Sequence, residues 1–218
     1  MPSTARMILV CMFLAILWSN LANRCAAGER VLLDSDWKFH RGDIDQEAGL
    51  HIDNSNWRVV HLPHDWSIEY PTDPNAACGG AGGFFPTGIG WYQKEFTTSK
   101  SWENELLAVE FEGVYQNAKV WLNDSYLGEH SNGYIPFGFD LTPYVRWGNP
   151  NILTVRVDNS MQPNSRWYTG SGIYRHVWLN RKGPVHLDRN SAFVSTNECS
   201  SHQATLKIAL KIHNKQSK

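Results

Sequence analysis

Apolar residues return at every second position along most of this chain, and that period decides the fold class. Leu107, Val109 and Phe111 alternate with Ala108, Glu110 and Glu112, while Leu153, Val155 and Val157 alternate with Thr154, Arg156 and Asp158. Successive side chains of a strand point to opposite faces, so each segment reads as a half-buried β-strand. Asn123-Asp124, Asn132-Gly133 and Gly148-Asn149-Pro150 supply turn chemistry between them, and no helical face persists beyond about two turns. Many short antiparallel strands at this spacing predict an all-β sandwich or jelly roll.

The pattern changes after Lys182-Gly183-Pro184. Leu206, Ile208, Leu210 and Ile212 alternate strictly with Thr205, Lys207, Ala209 and Lys211, with room for about two strands before Lys218. Two strands cannot cover an apolar face, so residues 184–218 read as the start of a second, truncated sandwich with an exposed, aggregation-prone surface. The first domain then occupies residues 28–183.

Residues 1–27 read as an export signal. Arg6 closes a short basic region, Met7–Trp18 is apolar throughout, and Cys25-Ala26-Ala27 offers small residues for cleavage before Gly28. About twelve apolar residues fall short of the roughly 20 needed to span a bilayer, so no membrane anchor beyond the signal is expected. The implied location is periplasmic or extracellular. Lipidation at Cys25 is a minor alternative, since Ala22-Asn23-Arg24 lacks the small-residue context for it. In the mature chain Cys78 and Cys199 stand far apart, and the expectation is two buried thiols, with a disulfide as the alternative.

A formal net charge of −1 gives no basic surface for nucleic acid. No cysteine or histidine spacing suits a metal, and no cofactor motif is present. Ten Trp, eight Tyr and nine Phe exceed what a core of this size needs, so some aromatics are expected to face a ligand. The stretch from Tyr70 to Gly90 has three prolines and the run Gly79-Gly80-Ala81-Gly82-Gly83 but no strand pattern. It lacks the Lys-Ser/Thr pair and following helix of a phosphate-binding loop, and reads as a long loop folding tightly over a rim.

Five blocks, in order, resemble the N-terminal sugar-binding domain of glycoside hydrolase family 2, and its β-galactosidase members most. They are Trp57 to Trp66 (WRVVHLPHDW); Gly88-Ile89-Gly90-Trp91-Tyr92 with Lys94 and Phe96; Phe111-Glu112-Gly113-Val114 through Val120-Trp121-Leu122-Asn123; Gly128-Glu129-His130 with Gly133-Tyr134 and Phe137; and Ser165 to Arg175 (SRWYTGSGIYR). The resemblance covers about Leu33 to Leu179. It implies a jelly-roll, galactose-binding-like β-sandwich, followed by an immunoglobulin-like sandwich and a catalytic barrel on the same polypeptide. Family 2 hydrolases cleave β-linked terminal sugars with two barrel glutamates, whereas the barrel is absent here. Asn104-Glu105 and Asn197-Glu198 mimic the dipeptide before the barrel's acid, but the first reads as a polar loop and the second as a turn, and neither is given a carboxylate partner. No catalytic residue is assigned, and the expected partners are a carbohydrate and the missing C-terminal domains.

The resemblance also suggests that loops of this domain reach the rim of the barrel's pocket. Trp167 and Tyr168 offer flat faces for the C–H surface of a pyranose, Arg166 a planar donor fork, and Asp158 and Asn159 further polar groups. Gly170 and Gly172 permit the turn that aims them, and Asp73 and Asn75 are weaker candidates for sugar hydroxyls. A structural reading competes: Trp167 as a plug at the sandwich's end, and Arg175 as an ion-pair partner of Asp158. Trp57, Trp66, Trp91 and Trp121 are expected to pack, and His64 and Asp65 to open a turn. A free-standing lectin-like module is the alternative to a portion of a hydrolase.

Overall fold

The computed structural model describes residues 28–44 and 52–215. The proposed signal at 1–27 lies outside them. The chain divides into two compact units, with the main one spanning Arg30–Arg181 and the smaller one taking the chain from Lys182 onward.

Ten strands build the main unit: β1 (Glu29–Leu32), β2 (Trp37–Arg41), β3 (Arg58–Val60), β4 (Gly88–Thr97), β5 (Leu106–Phe111), β6 (Ala118–Leu122), β7 (Ser125–His130), β8 (Phe137–Asp140), β9 (Pro150–Asn159) and β10 (Val177–Lys182). One sheet has the order β1-β10-β5-β8 and the other β3-β2-β4-β9-β6-β7. One buried cluster draws on both, with Phe111 and Val177 from the first and Phe39, Tyr92, Val120 and Val155 from the second. The two sheets therefore close face to face over a shared core, as the sequence pattern predicts. The short helical turns, at Ser67–Glu69, Gly80–Gly82 and Lys100–Trp102, are all of the 3-10 type. Among the described residues no helix is long and apolar enough to cross a membrane.

On β5 the alternation holds, with Leu107, Val109 and Phe111 buried and Leu106, Ala108 and Glu110 half-buried between them. β9 departs from it, because Thr154 and Arg156 on its outer face are buried as well. Asp43 and Asn54, which lie between β2 and β3, supply polar partners on this face. Asp43 accepts from Arg156 Nε at 3.0 Å and Nη2 at 2.9 Å and from Trp91 Nε1 at 3.1 Å. Asn54 donates to Gln93 at 2.8 Å, and Gln93 to Thr154 at 3.2 Å. A strand can carry polar residues on a buried face when each has such a partner.

The expected packing tryptophans are in place. Trp66 is fully buried and stacks on Phe39, Trp57 stacks on His40, and Trp91 stacks on the half-buried Trp121 with centroids 5.6 Å apart. His64 is structural too: its Nδ1 lies 2.7 Å from the Tyr92 hydroxyl and its Nε2 3.1 Å from Glu69 Oε1. A neutral ring accepting from the phenol and donating to the carboxylate satisfies both. Burial lowers its pKa, against the pull of Glu69.

In the smaller unit, four short strands replace the expected two. β11 (Val185–Leu187) pairs antiparallel with β14 (Ile212–Asn214), and β12 (Phe193–Cys199) with β13 (Ala204–Ala209). Leu206, Ile208 and Ile212 are at least 60% exposed, so the apolar face is open as the alternation implies. Asn197-Glu198 sits inside β12, at a register shift between Thr196 and Glu198, not in a turn. Glu105 pairs with Arg181 at 3.4 Å. Cys78 and Cys199 are both free thiols, and Cys199 is exposed, against the expectation of two buried ones.

Candidate functional site

The ladder between β4 and β9 runs ten pairs, from Thr97 opposite Pro150 to Gly88 opposite Asn159. It delivers the loop entering β4 (residues 71–87) and the loop leaving β9 (residues 160–176) to the same end of the sandwich. Asn159 starts the second loop and is fully buried. Its Nδ2 donates to the Gly170 carbonyl at 3.1 Å and to Ser171 Oγ at 2.8 Å, while its Oδ1 accepts from Gln162 at 2.9 Å and Asn164 at 2.8 Å. One side chain thus ties both arms of the loop together. Asn159 therefore shapes the loop, with its side-chain nitrogen and oxygen both engaged within it.

The return arm docks on the turn after β3. Asp65 Oδ1 accepts from Ser67 N–H at 3.0 Å and Ser171 N–H at 2.8 Å, and Asp65 Oδ2 accepts from the Tyr168 hydroxyl. Gly172 exchanges backbone hydrogen bonds with Tyr115, at 2.9 and 3.0 Å. The expected turn glycines hold positive φ, +70° at Gly170 and +125° at Gly172, and a Cβ at Gly172 would run into the Tyr92 hydroxyl and the His64 carbonyl.

On this frame the predicted site residues separate. Trp167 is 59% exposed, with its indole N–H donating to the Tyr134 hydroxyl at 3.1 Å. Arg166 is exposed beside it, without an ion pair or hydrogen bond among the described residues. Tyr168 is spent on the fold: its ring packs edge-on against Phe85, centroids 4.9 Å apart, and its phenol is held by Asp65. Desolvation and the neighbouring carboxylate push that phenol's pKa far up. Asp158 serves Arg156 at 3.1 Å and Ser160 at 2.6 Å, so the suggested pairing with Arg175 is not made. Arg175 instead lies over the ring of Tyr174. Asp73 accepts the Asn75 N–H at 2.8 Å in a turn of the 71–87 loop, where both residues are exposed. That loop meets the β9–β10 loop where the Phe85 ring packs on Tyr168.

Between the two loops lies a cleft of about 10 Å³, bordered by Phe85, Thr87, Gln162, Trp167 and Tyr168. It has room for about one water and none for a pyranose. At this end of the sandwich the loops present an edge, not an enclosed pocket. Among the described residues no cluster of three His, Cys, Asp or Glu side chains could hold a metal. Tyr134 is the functional candidate that the sequence did not single out. It lay inside a quoted block, but only the fold brings it to Trp167, 33 residues away.

Residues 32–183 match the model of the family described as glycosyl hydrolases family 2, sugar binding domain. The chain belongs to that family. A β-galactosidase of Bacteroides ovatus is 45% identical over 186 residues, which is 85% of this chain and 22% of that protein. A β-glucuronidase of Formosa agariphila is 30% identical over 201 residues, or 82% of this chain and 20% of the relative. The crystal structure of a β-glycosidase from Bacteroides vulgatus superposes with a TM-score of 0.81 at 39% identity, covering 87% of this chain and 25% of that one. The family 2 domain described here thus spans about a fifth of the curated relatives' length, and corresponds to their non-catalytic N-terminal portion.

Proposed function

We propose that this domain forms the rim of the sugar pocket in an exported family 2 hydrolase acting on β-galactosides, with the cleavage done by the absent barrel. The observation that carries the reading is Trp167. A large aromatic is left 59% exposed while the loop beneath it is fixed by Asn159 and Asp65. Rigid and exposed together describe a preorganised contact surface, because little conformational entropy remains to be lost on binding. Trp167 stacks on the C–H face of the sugar and Arg166 donates to its hydroxyls. The galactoside preference rests on likeness to the β-galactosidase of Bacteroides ovatus.

Complementation tests it. The chain is mixed with the barrel-bearing remainder of that Bacteroides ovatus enzyme, and hydrolysis of an aryl β-galactoside is followed. Trp167→Ala and Arg166→Ala each lower kcat/KM about tenfold, on the order of 1.4 kcal/mol, with assembly intact. Unchanged kcat/KM in both variants would sink the proposal. The lectin alternative predicts micromolar galactose binding by the chain alone. The rim reading predicts instead an affinity no better than about millimolar, roughly 4 kcal/mol.

A further inference from the structure

Three connections meet beside Trp167: residues 112–117 between β5 and β6, 131–136 between β7 and β8, and 160–176 between β9 and β10. Register places them together, since Ala118 pairs with His130 and Lys119 with Arg156. Tyr134, on the middle connection, is 49% exposed. Its position is nevertheless fixed. Asn132 Oδ1 accepts the N–H of Tyr134 at 2.8 Å and of Ile135 at 3.0 Å. The Tyr174 hydroxyl donates to the Gly133 carbonyl at 2.8 Å, and any side chain at Gly133 would overlap the Tyr115 ring. Tyr115 in turn supports the Tyr134 ring edge-on, centroids 5.4 Å apart at 67°.

We infer that Tyr134 is the second ring of the sugar platform, forming with Trp167 a two-ring surface for the C–H face of a β-galactopyranoside. The inference rests on the rim reading of Trp167 and extends it to a residue on a different loop. The hydrogen bond from the Trp167 indole to the Tyr134 hydroxyl carries the argument. It locks two exposed rings, contributed by separate loops, into one surface. It also satisfies the indole N–H internally, so a C–H surface can cover the pair without stranding that donor. A galactopyranose suits such a surface, because its axial O4 leaves the C3, C4 and C5 hydrogens together on one face. Stacking of this kind contributes through dispersion and the ring quadrupole, and each ring adds to it separately.

The test uses the whole chain and the indole N–H resonance of Trp167, identified by its loss in Trp167→Phe. Methyl β-galactopyranoside is titrated to about 0.3 M, as a millimolar affinity requires. The expected result is a saturable shift of that resonance in the wild type. Tyr134→Ala weakens the affinity about fivefold, whereas Tyr134→Phe moves the free resonance, by removing its acceptor, and changes affinity less than about twofold. Equal affinity in Tyr134→Ala, with the rest of its spectrum unchanged, overturns the inference and leaves the rim reading standing. If Tyr134→Ala spares the sugar titration but weakens association with the barrel-bearing fragment, the pair is a protein-docking surface and the inference is likewise overturned. A wild type without a saturable shift removes the sugar-facing role of Trp167 itself, and the inference with it.

Discussion

The phenol of Tyr168 donates to the carboxylate of Asp65, 103 residues earlier in the chain, and the same carboxylate takes the backbone N–H groups of Ser67 and Ser171. Two of these donors, the Tyr168 phenol and the Ser171 N–H, fix the exposed loop to the turn after β3, while the Ser67 N–H closes the turn itself. The adjacent aromatics Trp167 and Tyr168 thereby have opposite fates, the first presented outward and the second used as an anchor.

Asp65→Ala removes all three hydrogen bonds at once. Hydrogen bonds to a charged group contribute about 1.5–3 kcal/mol each but do not add fully, so a loss of about 2–4 kcal/mol is expected in urea unfolding. The Ser171 amide should also exchange faster with solvent. Retained protection there would show that Asp65 is not the anchor.

Tyr168→Phe keeps the ring against Phe85 and deletes the phenol, with an expected loss of about 1 kcal/mol. Trp167→Ala, at an exposed ring, should stay within about 0.5 kcal/mol of wild type in the same measurement. If the order reverses, Trp167 is a plug of the sandwich and Tyr168 the freer group.

Asn159→Ala strands the partners of a fully buried amide and should destabilise by about 2–3 kcal/mol. Asn159→Asp loses both donors and sets a carboxylate against the Gly170 carbonyl, so it should be no better tolerated. Wild-type melting temperatures for both would show that Asn159 does not hold the loop.

Asp43 is held down to a pKa of about 2, chiefly by its hydrogen bond from Arg156 and despite some desolvation. Its folded pKa lies below the unfolded value, so its contribution is complete above about pH 4 and is lost as pH falls toward 2. Carboxyl NMR should show Asp43 titrating near pH 2, and Arg156→Gln should return it toward 3.8. His64 acts in a higher window. Its folded pKa is lowered by burial, so the unfolded chain binds the proton more readily and stability should fall as pH drops below about 6.5. In His64→Gln that fall should be smaller; an equal slope would place the effect elsewhere.

In the smaller unit, Leu206→Thr with Ile208→Thr should reduce aggregation in light scattering without shifting the melting of the main sandwich, because both side chains are exposed. A drop in the main transition would mean that these residues support the first unit.

Alternation alone determined much of this protein. A period of two with turn chemistry between the runs forces strands with one apolar face, and an apolar face must be covered, so a two-sheet sandwich over residues such as Val109 and Val155 was legible without coordinates. The five ordered blocks likewise placed the chain in its family. Which polar residues meet solvent was not legible, because burial of a polar group depends on partners distant in sequence. Asp158 and Asn159 looked available at a strand end and are claimed by Arg156 and by the Gly170 and Ser171 backbone and side chain. Thr154 and Arg156 looked exposed and are buried, with Asp43 and Asn54 among the polar groups on that face. The pairing of Trp167 with Tyr134 was decided by tertiary structure alone: antiparallel register carries three connections to one end of the sandwich, and no local spacing encodes a contact across 33 residues.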